Sequence, residues 1–434
     1  MSTTGTQASG TMTGLNDILK QVYEPALNNN IVQDSELWDL LVEQEGFEVS
    51  EGPDGKQINL GHIFAGAGGV GYMAEDDYLP TPSAPVIKQS SITIKQAGGV
   101  VELSGRTLRR VKQGPAAFAN WADEALPMLS QRIAFHKDRA LVGAGTGILC
   151  KINGTPDGTG DGINAAYGIT GLENAVYTML EGDNLRYSPN ADGSTPRANA
   201  VTVSAVNYAA STIDTGGTTP TSAASGDFVF LGDANLAPSG TKDPMGLEGI
   251  IDDGTNVATF QGLARSTYLK MQGQVIDSTS LSFGGVLSED LIDYGDSLAH
   301  QRGGGKPDVL IASYSGIRSF WKSLKSDRQI MNPAGAYTGG KKTDGLKMIL
   351  GDRTLTLRPC RKVPDSRAYL AEKASLKLYR IGSGRWDDTD GSIWNRVVNS
   401  TGRKDAFFAA YIEEYEVACK TPAHNIKFTS LTAA

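Results

Sequence analysis

Apolar residues recur at helical spacing near the start of the chain. Leu15, Ile18, Leu19, Val22 and Tyr23 mark one face of a helix over 15–27, and Leu37, Leu40 and Leu41 turn inward on a second, over 36–43. The period then changes to two. Ile58 and Leu60 alternate in a strand over 57–63, and Ile92 and Ile94 alternate in a partner strand over 91–95. Between them lies a stretch rich in glycine and proline, 64–85, too long for an ordinary turn in a compact domain. This pattern predicts a long hairpin that leaves the body of the subunit.

The clearest helix is predicted over 114–142, with Phe118, Ala122, Ala125, Leu129, Ile133 and Ala140 on one stripe and Gly143 as its stop. At 1.5 Å per residue it would run ~43 Å, more than one small core covers. Pro127 inside it predicts a kink or an early break. From 150 to 265 the chain alternates Gly/Ser/Thr/Asp/Pro loops with short β-type runs at 200–206 and 227–231, a β-rich insertion. Beyond it the pattern predicts a helix over 288–300, a buried strand over 308–313 and a helix over 315–324. Strands follow at 348–350, 355–357, 368–370 and 376–379, and a long strand covers 406–419. The class is α+β.

Charge and composition narrow the function. A net charge of −8 without a long Lys/Arg cluster argues against a tight nucleic-acid reader. Cys150, Cys360 and Cys419 are too far apart for a disulfide framework or a metal-ligand spacing. The N-terminus has no secretory pattern and no run reaches 18 apolar residues, so neither export nor a membrane span is expected.

Candidate chemistry is thin. The glycines of Gly66–Gly71 match a dinucleotide loop, but acidic residues and prolines follow where a helix must. The run at 335–342 (GAYTGGKK) misses a phosphate loop at Lys342, where Ser or Thr should stand. Lys341 and Lys342 then read as an exposed basic loop able to touch a neighbour. Asp387, Asp388 and Asp390 lack the far glutamate of a calcium loop, and Asp157 with Asp161 reads as turn chemistry. His62, His136, His300 and His424 stand alone in sequence. No catalytic, metal or cofactor site is expected, and no enzyme activity.

The order of segments is more informative: an arm, a long hairpin, GGVVELSG (Gly98–Gly105), then a helix ending in DRALVGAGTG (Asp138–Gly147). Later come PDVLIASYSGIRSFWKSL, LGDRTLTLRP, AYLAEKASLKLY and the closing YEVACKTPAHNIKF. This layout resembles the major capsid proteins of tailed bacteriophages, the Hong Kong 97 fold, over 15–147 and 285–434. The resemblance implies an N-terminal arm (1–50), an E-loop hairpin (51–104) and a P-domain with spine helix (105–149). It further implies the β-rich insertion (150–265), an A-domain (266–395) and a last P-domain strand (396–434).

The implied function is a head subunit that tiles into hexamers and pentamers around double-stranded DNA. It would be made in the host cytoplasm and carried in the virion, with portal and scaffolding proteins as partners and a decoration protein as a further one. An encapsulin-type compartment shell and a β-rich surface or adhesion protein are the alternatives. Independently of the resemblance, Tyr72, Met73, Asp76, Asp77, Tyr78 and Leu79 at the hairpin tip suit docking on another subunit, as buried aromatic anchors do. Leu19, Tyr23 and Trp38 of the arm, with Lys341 and Lys342, complete the expected intersubunit contacts.

Overall fold

The computed structural model describes residues 36–42, 57–106, 121–169, 175–233, 238, 242–280, 283–323, 346–350, 353–381, 384–388, 393–399 and 402–432. The expected helix at 15–27, with Leu19 and Tyr23, lies outside them, as do Asp390 and the loop of Lys341 and Lys342.

Strand β21 (Gly402–Cys419) organises one layer. Its 18 residues extend ~60 Å at about 3.3 Å each, three times an ordinary strand. It is paired along both edges. Strand β3 (Lys95–Ser104) runs antiparallel to it from Lys95↔Tyr415 to Ser104↔Ala406. Three short strands share further pairing in relay: β20 (Asn395–Asn399), β19 (Arg385–Trp386) and β18 (Leu376–Arg380). Helix α2 (Trp121–Val142) lies across β3. The helix reaches the strand closely because Gly99 has no side chain; a Cβ there would meet Leu129 Cδ1 at 2.8 Å.

Two expectations change here. Helix α2 runs through Pro127 as one element, so of the expected kink or early break the break does not occur there. Its buried surface also widens beyond a single stripe. Leu129 is half-buried, Ile133 is buried, and from Asp138 to Val142 every residue is buried. The C-terminal end is inserted into the protein, so its polar residues need partners inside. Asp138 finds them in α1 (Glu36–Val42): its Oδ1 accepts the Leu37 N–H at 2.8 Å and the Trp38 N–H at 3.2 Å. A side chain a hundred residues away thus satisfies two N–H groups of the first turn of a helix.

The central region forms a seven-stranded sheet in the order β7 (Val201–Thr202), β6 (Asn184–Ser188), β10 (Phe228–Leu231), β4 (Ile148–Asn153), β5 (Asp161–Asn164), β9 (Thr212–Asp214), β8 (Ala205–Asn207). Its two edge strands, β7 and β8, are separated in the chain by only Val203 and Ser204. This one course pairs with β6 through β7 and with β9 through β8, so the sheet curls into a barrel-like module. Val203 N–H bonds to Asp183 O at 2.9 Å, and Ser204 N–H to Asp214 O at 2.8 Å. Closure removes the exposed edges that would otherwise template aggregation. Leu149, Tyr187, Ile213 and Val229 are buried together in this module.

A six-stranded mixed sheet follows: β13 (Gln274–Asp277), β22 (Ile426–Thr429), β17 (Ala368–Ala371), β14 (Val309–Ala312), β16 (Arg353–Pro359), β15 (Leu346–Leu350). All four residues of β14 are buried, as expected for a continuous apolar run next to a parallel neighbour, β16. Between the barrel and this sheet lie a short helix, α3 (Leu247–Ile250), and the two-stranded ribbon β11 (Thr259–Phe260) with β12 (Leu263–Ala264). Helix α4 (Glu289–Leu298) starts at Ser288, whose hydroxyl accepts the Leu291 N–H. It ends in a π-turn over Ala299–Gly303, and α5 (Tyr314–Ser323) follows β14.

Four buried charges tie the sheet to α3 and its following loop. Lys427 Nζ sits 3.0 Å from Glu248 Oε1 and 3.2 Å from Asp252 Oδ1, and Arg265 pairs with Asp252 at 3.4 Å. Tyr369 donates its hydroxyl to Glu248 Oε2 at 2.6 Å.

Candidate functional site

The hairpin is built by β1 (Gln57–Ala65) and β2 (Val86–Thr93), paired from Gln57↔Thr93 to Ala65↔Val86. The second arm begins at Val86, five residues before the expected Ser91, so the arms are longer and the connecting loop is 66–85. The chain then turns at Ile94 into β3, which pairs along β21 rather than extending the hairpin.

The base is anchored. Ile58 and Ile92 are buried against Tyr379 and Ala418. His62 Nε2 lies 2.8 Å from Ser90 Oγ, Ser91 N–H donates to Gln261 O at 2.9 Å, and Phe64 packs on Tyr268 with ring centroids 4.8 Å apart. Burial lowers the His62 pKa, which favours the neutral ring in that contact.

The outer half is bare. Tyr72 is 109% exposed, Tyr78 98% and Leu79 81%. Met73 and Val70 are exposed as well, and so are Ile63 and Ile87, which face each other across the ladder. The loop is nevertheless shaped. Gly68 N–H donates to Ser83 O at 2.8 Å, and the Ser83 hydroxyl returns to Gly68 O at 3.0 Å. Asp77 Oδ2 accepts the Ala74 N–H at 2.8 Å, and Asp76 takes a left-handed φ of 79°. Gly69 passes so near the other side of the loop that a Cβ would strike Thr81 O. No helix follows Gly66–Gly71, so a dinucleotide loop is ruled out and these glycines serve the bend.

Of the other expected contact residues, Trp38 is half-buried within its own chain. Its ring meets Tyr415 edge-on at 5.0 Å, and Lys137 Nζ sits 3.4 Å over it. Lys137 also pairs with Glu413 at 2.7 Å. Burial depresses the Lys137 pKa against the pull of Glu413.

Among the described residues no cluster of His, Cys, Asp and Glu has the geometry of a metal site. Asp161 accepts the Asp157 and Gly158 N–H groups, as a turn residue does. His136 and Arg132 pair with Asp183, which also takes the Leu180 N–H. Burial pushes this carboxyl up, but His136, Leu180 and Arg132 overcome it and hold it at about 2. No described helix is long and apolar enough to cross a membrane.

No protein-family model matches the chain, and no curated protein matches its sequence. Solved structures do. The capsid asymmetric unit of cyanophage A-1(L) superposes with a TM-score of 0.56 at 9% identity, covering 97% of this chain and 99% of that one. The capsid of a native GTA particle gives 0.52 at 8% identity, covering 98% and 100%.

The chain has a Hong Kong 97-type capsid fold.

A capsid fold of this kind tolerates nearly complete divergence of sequence, because layout and burial pattern carry it. That is why a segment order was readable where no motif was. The cations around Asp183 and Asp243 were not legible in the sequence, since the cleft they border is assembled from β3, α2 and residues 231–233 and 242–244.

Proposed function

We propose that this chain is the major capsid protein of a tailed bacteriophage: a shell subunit that tiles into hexamers and pentamers around double-stranded DNA, with no catalytic role. The observation that carries this reading is the end-to-end match in fold to capsid subunits. The bare hairpin supports it. Side chains as apolar as Tyr72, Tyr78 and Leu79 gain nothing in water and gain much when docked on a neighbour.

In this reading residues 51–104 form the E-loop, α2 is the spine helix of the P-domain (105–149), and β21 is the last P-domain strand (396–434). Residues 266–395, with α4, α5 and the sheet strands β13 to β17, are the A-domain. The barrel module faces outward, because its Gly/Ser/Thr-rich loops suit solvent. A scaffolding protein, a portal and a decoration protein would be the partners, and the virion the final location. Lys341 and Lys342, with Leu19 and Tyr23 of the arm, are proposed as further contacts.

Electron microscopy of the protein, expressed alone and with its neighbouring genes, tests this. Closed shells, tubes or partial shells are expected. A stable monomer at high concentration would overturn the reading. Particles filled with an enzyme in place of DNA would assign the chain to compartment shells instead. A map with residues 150–265 against the DNA would overturn the outward barrel.

A further inference from the structure

The sequence holds a single Asn–Gly step, Asn153–Gly154. It stands where β4 leaves the barrel sheet: Asn153 is the last residue of the strand and pairs with Gly162 of β5. Asn153 and Gly154 are both exposed. The Asn153 side-chain amide has no hydrogen-bond partner among the described residues, so it can rotate towards the backbone that follows. Asn190 is exposed as well, but its amide is tied down, donating to Ser194 Oγ and Thr195 Oγ1 at 3.0 Å each.

Gly154 is glycine for a backbone reason. Its φ is +97°, a conformation that side chains rarely adopt. The same choice leaves its nitrogen unshielded, since no atom lies within 4 Å of the place where a Cβ would sit.

An unshielded backbone nitrogen beside an unbound side-chain amide is a reacting pair already held together by the chain. Hydroxide removes the proton from Gly154 N, and the nitrogen bonds to Asn153 Cγ. The Cγ–Nδ2 bond breaks, and Nδ2 takes a proton from water and departs as ammonia. Water then opens the resulting succinimide at either carbonyl, leaving aspartate or isoaspartate. The sum is asparagine and water giving the acid and ammonia, with no oxidant or cofactor.

One contact opposes the reaction. Gly154 N–H donates to Ser225 Oγ at 3.2 Å, and this bond must break before the nitrogen can turn onto Cγ. The next residue, Gly226, holds that segment against β4 through its N–H to Ile152 O at 2.8 Å.

We infer that Asn153–Gly154 is a site of spontaneous deamidation, with water as the reactant and the Ser225 hydroxyl as its brake. Each copy of the chain then gains a negative charge on the barrel as it ages. The isoaspartate form also adds a carbon to the main chain at the exit of β4, beside the pair that Asn153 makes with Gly162. The inference does not depend on the shell reading.

The test uses the full folded chain, held in a series of neutral to mildly alkaline buffers, digested, and its peptides weighed. The peptide containing Asn153 should exchange its amide for an acid and split into two chromatographic forms. The rate should rise about tenfold per pH unit, because the attacking nitrogen must first lose a proton that it binds far above this range. Asn164 is the internal control: it is exposed on the neighbouring strand, opposite Lys151, but Ala165 follows it. Asn153 should convert while Asn164 stays intact, and conversion of Asn153 no faster than Asn164 would overturn the inference.

Two variants separate the site from its brake. Asn153→Gln, whose longer side chain must close a larger ring, should stop the reaction; a new acid in that peptide at the original rate would place the chemistry at another residue. Ser225→Ala should speed conversion roughly two- to tenfold, the worth of one hydrogen bond. An unchanged rate in Ser225→Ala would remove Ser225 from the proposal.

Discussion

Asp138 and Lys362 form an ion pair with both side chains wholly enclosed, Oδ2 to Nζ 3.5 Å. Lys362 Nζ also lies 4.0 Å over the Phe135 ring, and the other Asp138 oxygen holds the first turn of α1. Removing one partner of such a pair strands the other charge in the interior without its counter-ion. Asp138→Ala should therefore lower stability by ~3–5 kcal/mol. Asp138→Asn, which keeps an oxygen for the Leu37 N–H, should cost less. Urea midpoints of the unassembled protein would measure both. Equal midpoints for wild type and Asp138→Ala would show that α1 is held some other way.

Glu416 is an acid that the fold prefers uncharged. Burial raises it to about 8, although Oε1 accepts the Met245 N–H at 2.7 Å and the Val417 N–H at 3.1 Å. Its folded pKa stands above its unfolded one, so between pH 4.5 and about 8 the native state binds more protons. Its contribution is thus fully present below the unfolded pKa and is lost as pH rises through the folded one. Glu416→Gln keeps the acceptor and removes the ionisation. It should flatten the pH dependence over this window and be the more stable form above it, by roughly a few kcal/mol. Parallel pH–stability curves for the two proteins would refute this.

Asp183 gives the opposite slope. Its folded pKa of about 2 lies below the usual 3.8, so its contribution is present above the unfolded value and lost as acid carries the pH down through the folded one. Because Asp183 links α2 to the barrel through Arg132 and His136, Asp183→Asn should lose the acid-side slope and weaken that junction at neutral pH. Acid unfolding followed at both sites would check it; an unchanged slope between pH 4 and 2 would sink it.

Much of this architecture was legible because periodicity survives divergence. The alternation of Ile58 and Leu60 located β1, and the unbroken apolar run of β14 marked a strand buried on both faces. The start of the second hairpin arm was missed because Val86 and Ile87 are exposed, and an exposed arm shows no in-out alternation. The end of α2 was under-read for the opposite reason. Asp138 and Arg139 look like surface residues until partners supplied by α1, Lys362 and Asp243 enclose them. Barrel closure was invisible, since short strands of two to six residues carry little period and their pairing is set by Val203 and Ser204 at the junction. The tip residues were visible as misplaced apolar side chains, whereas the cleft needed the folded chain.

The cysteines should be silent in the native protein. Cys150, Cys360 and Cys419 are buried, and burial pushes the Cys419 thiol up to about 12 and Cys150 higher still. A thiol that neither ionises nor meets solvent does not attack an alkylating reagent. Maleimide should label none of the three in the folded chain and all of them in denaturant. Rapid native labelling at any one would mean that its part of the core opens.

Tyr72 and Leu79 separate folding from assembly. In the isolated chain both side chains meet water, so replacing them with serine removes no intramolecular contact. Tyr72→Ser with Leu79→Ser should leave the urea midpoint of the unassembled protein within about 0.5 kcal/mol of wild type, as surface changes do. If the tip docks on a neighbour, each copy in a shell repeats the loss of a buried aromatic and a buried leucine, and truncating such anchors costs ~2 kcal/mol or more apiece. Shell yield should then fall steeply while the subunit stays folded, read by sedimentation and electron microscopy side by side. Full shell yield from the double variant would remove the hairpin tip from the interface. A lowered urea midpoint would mean that the tip packs on its own chain.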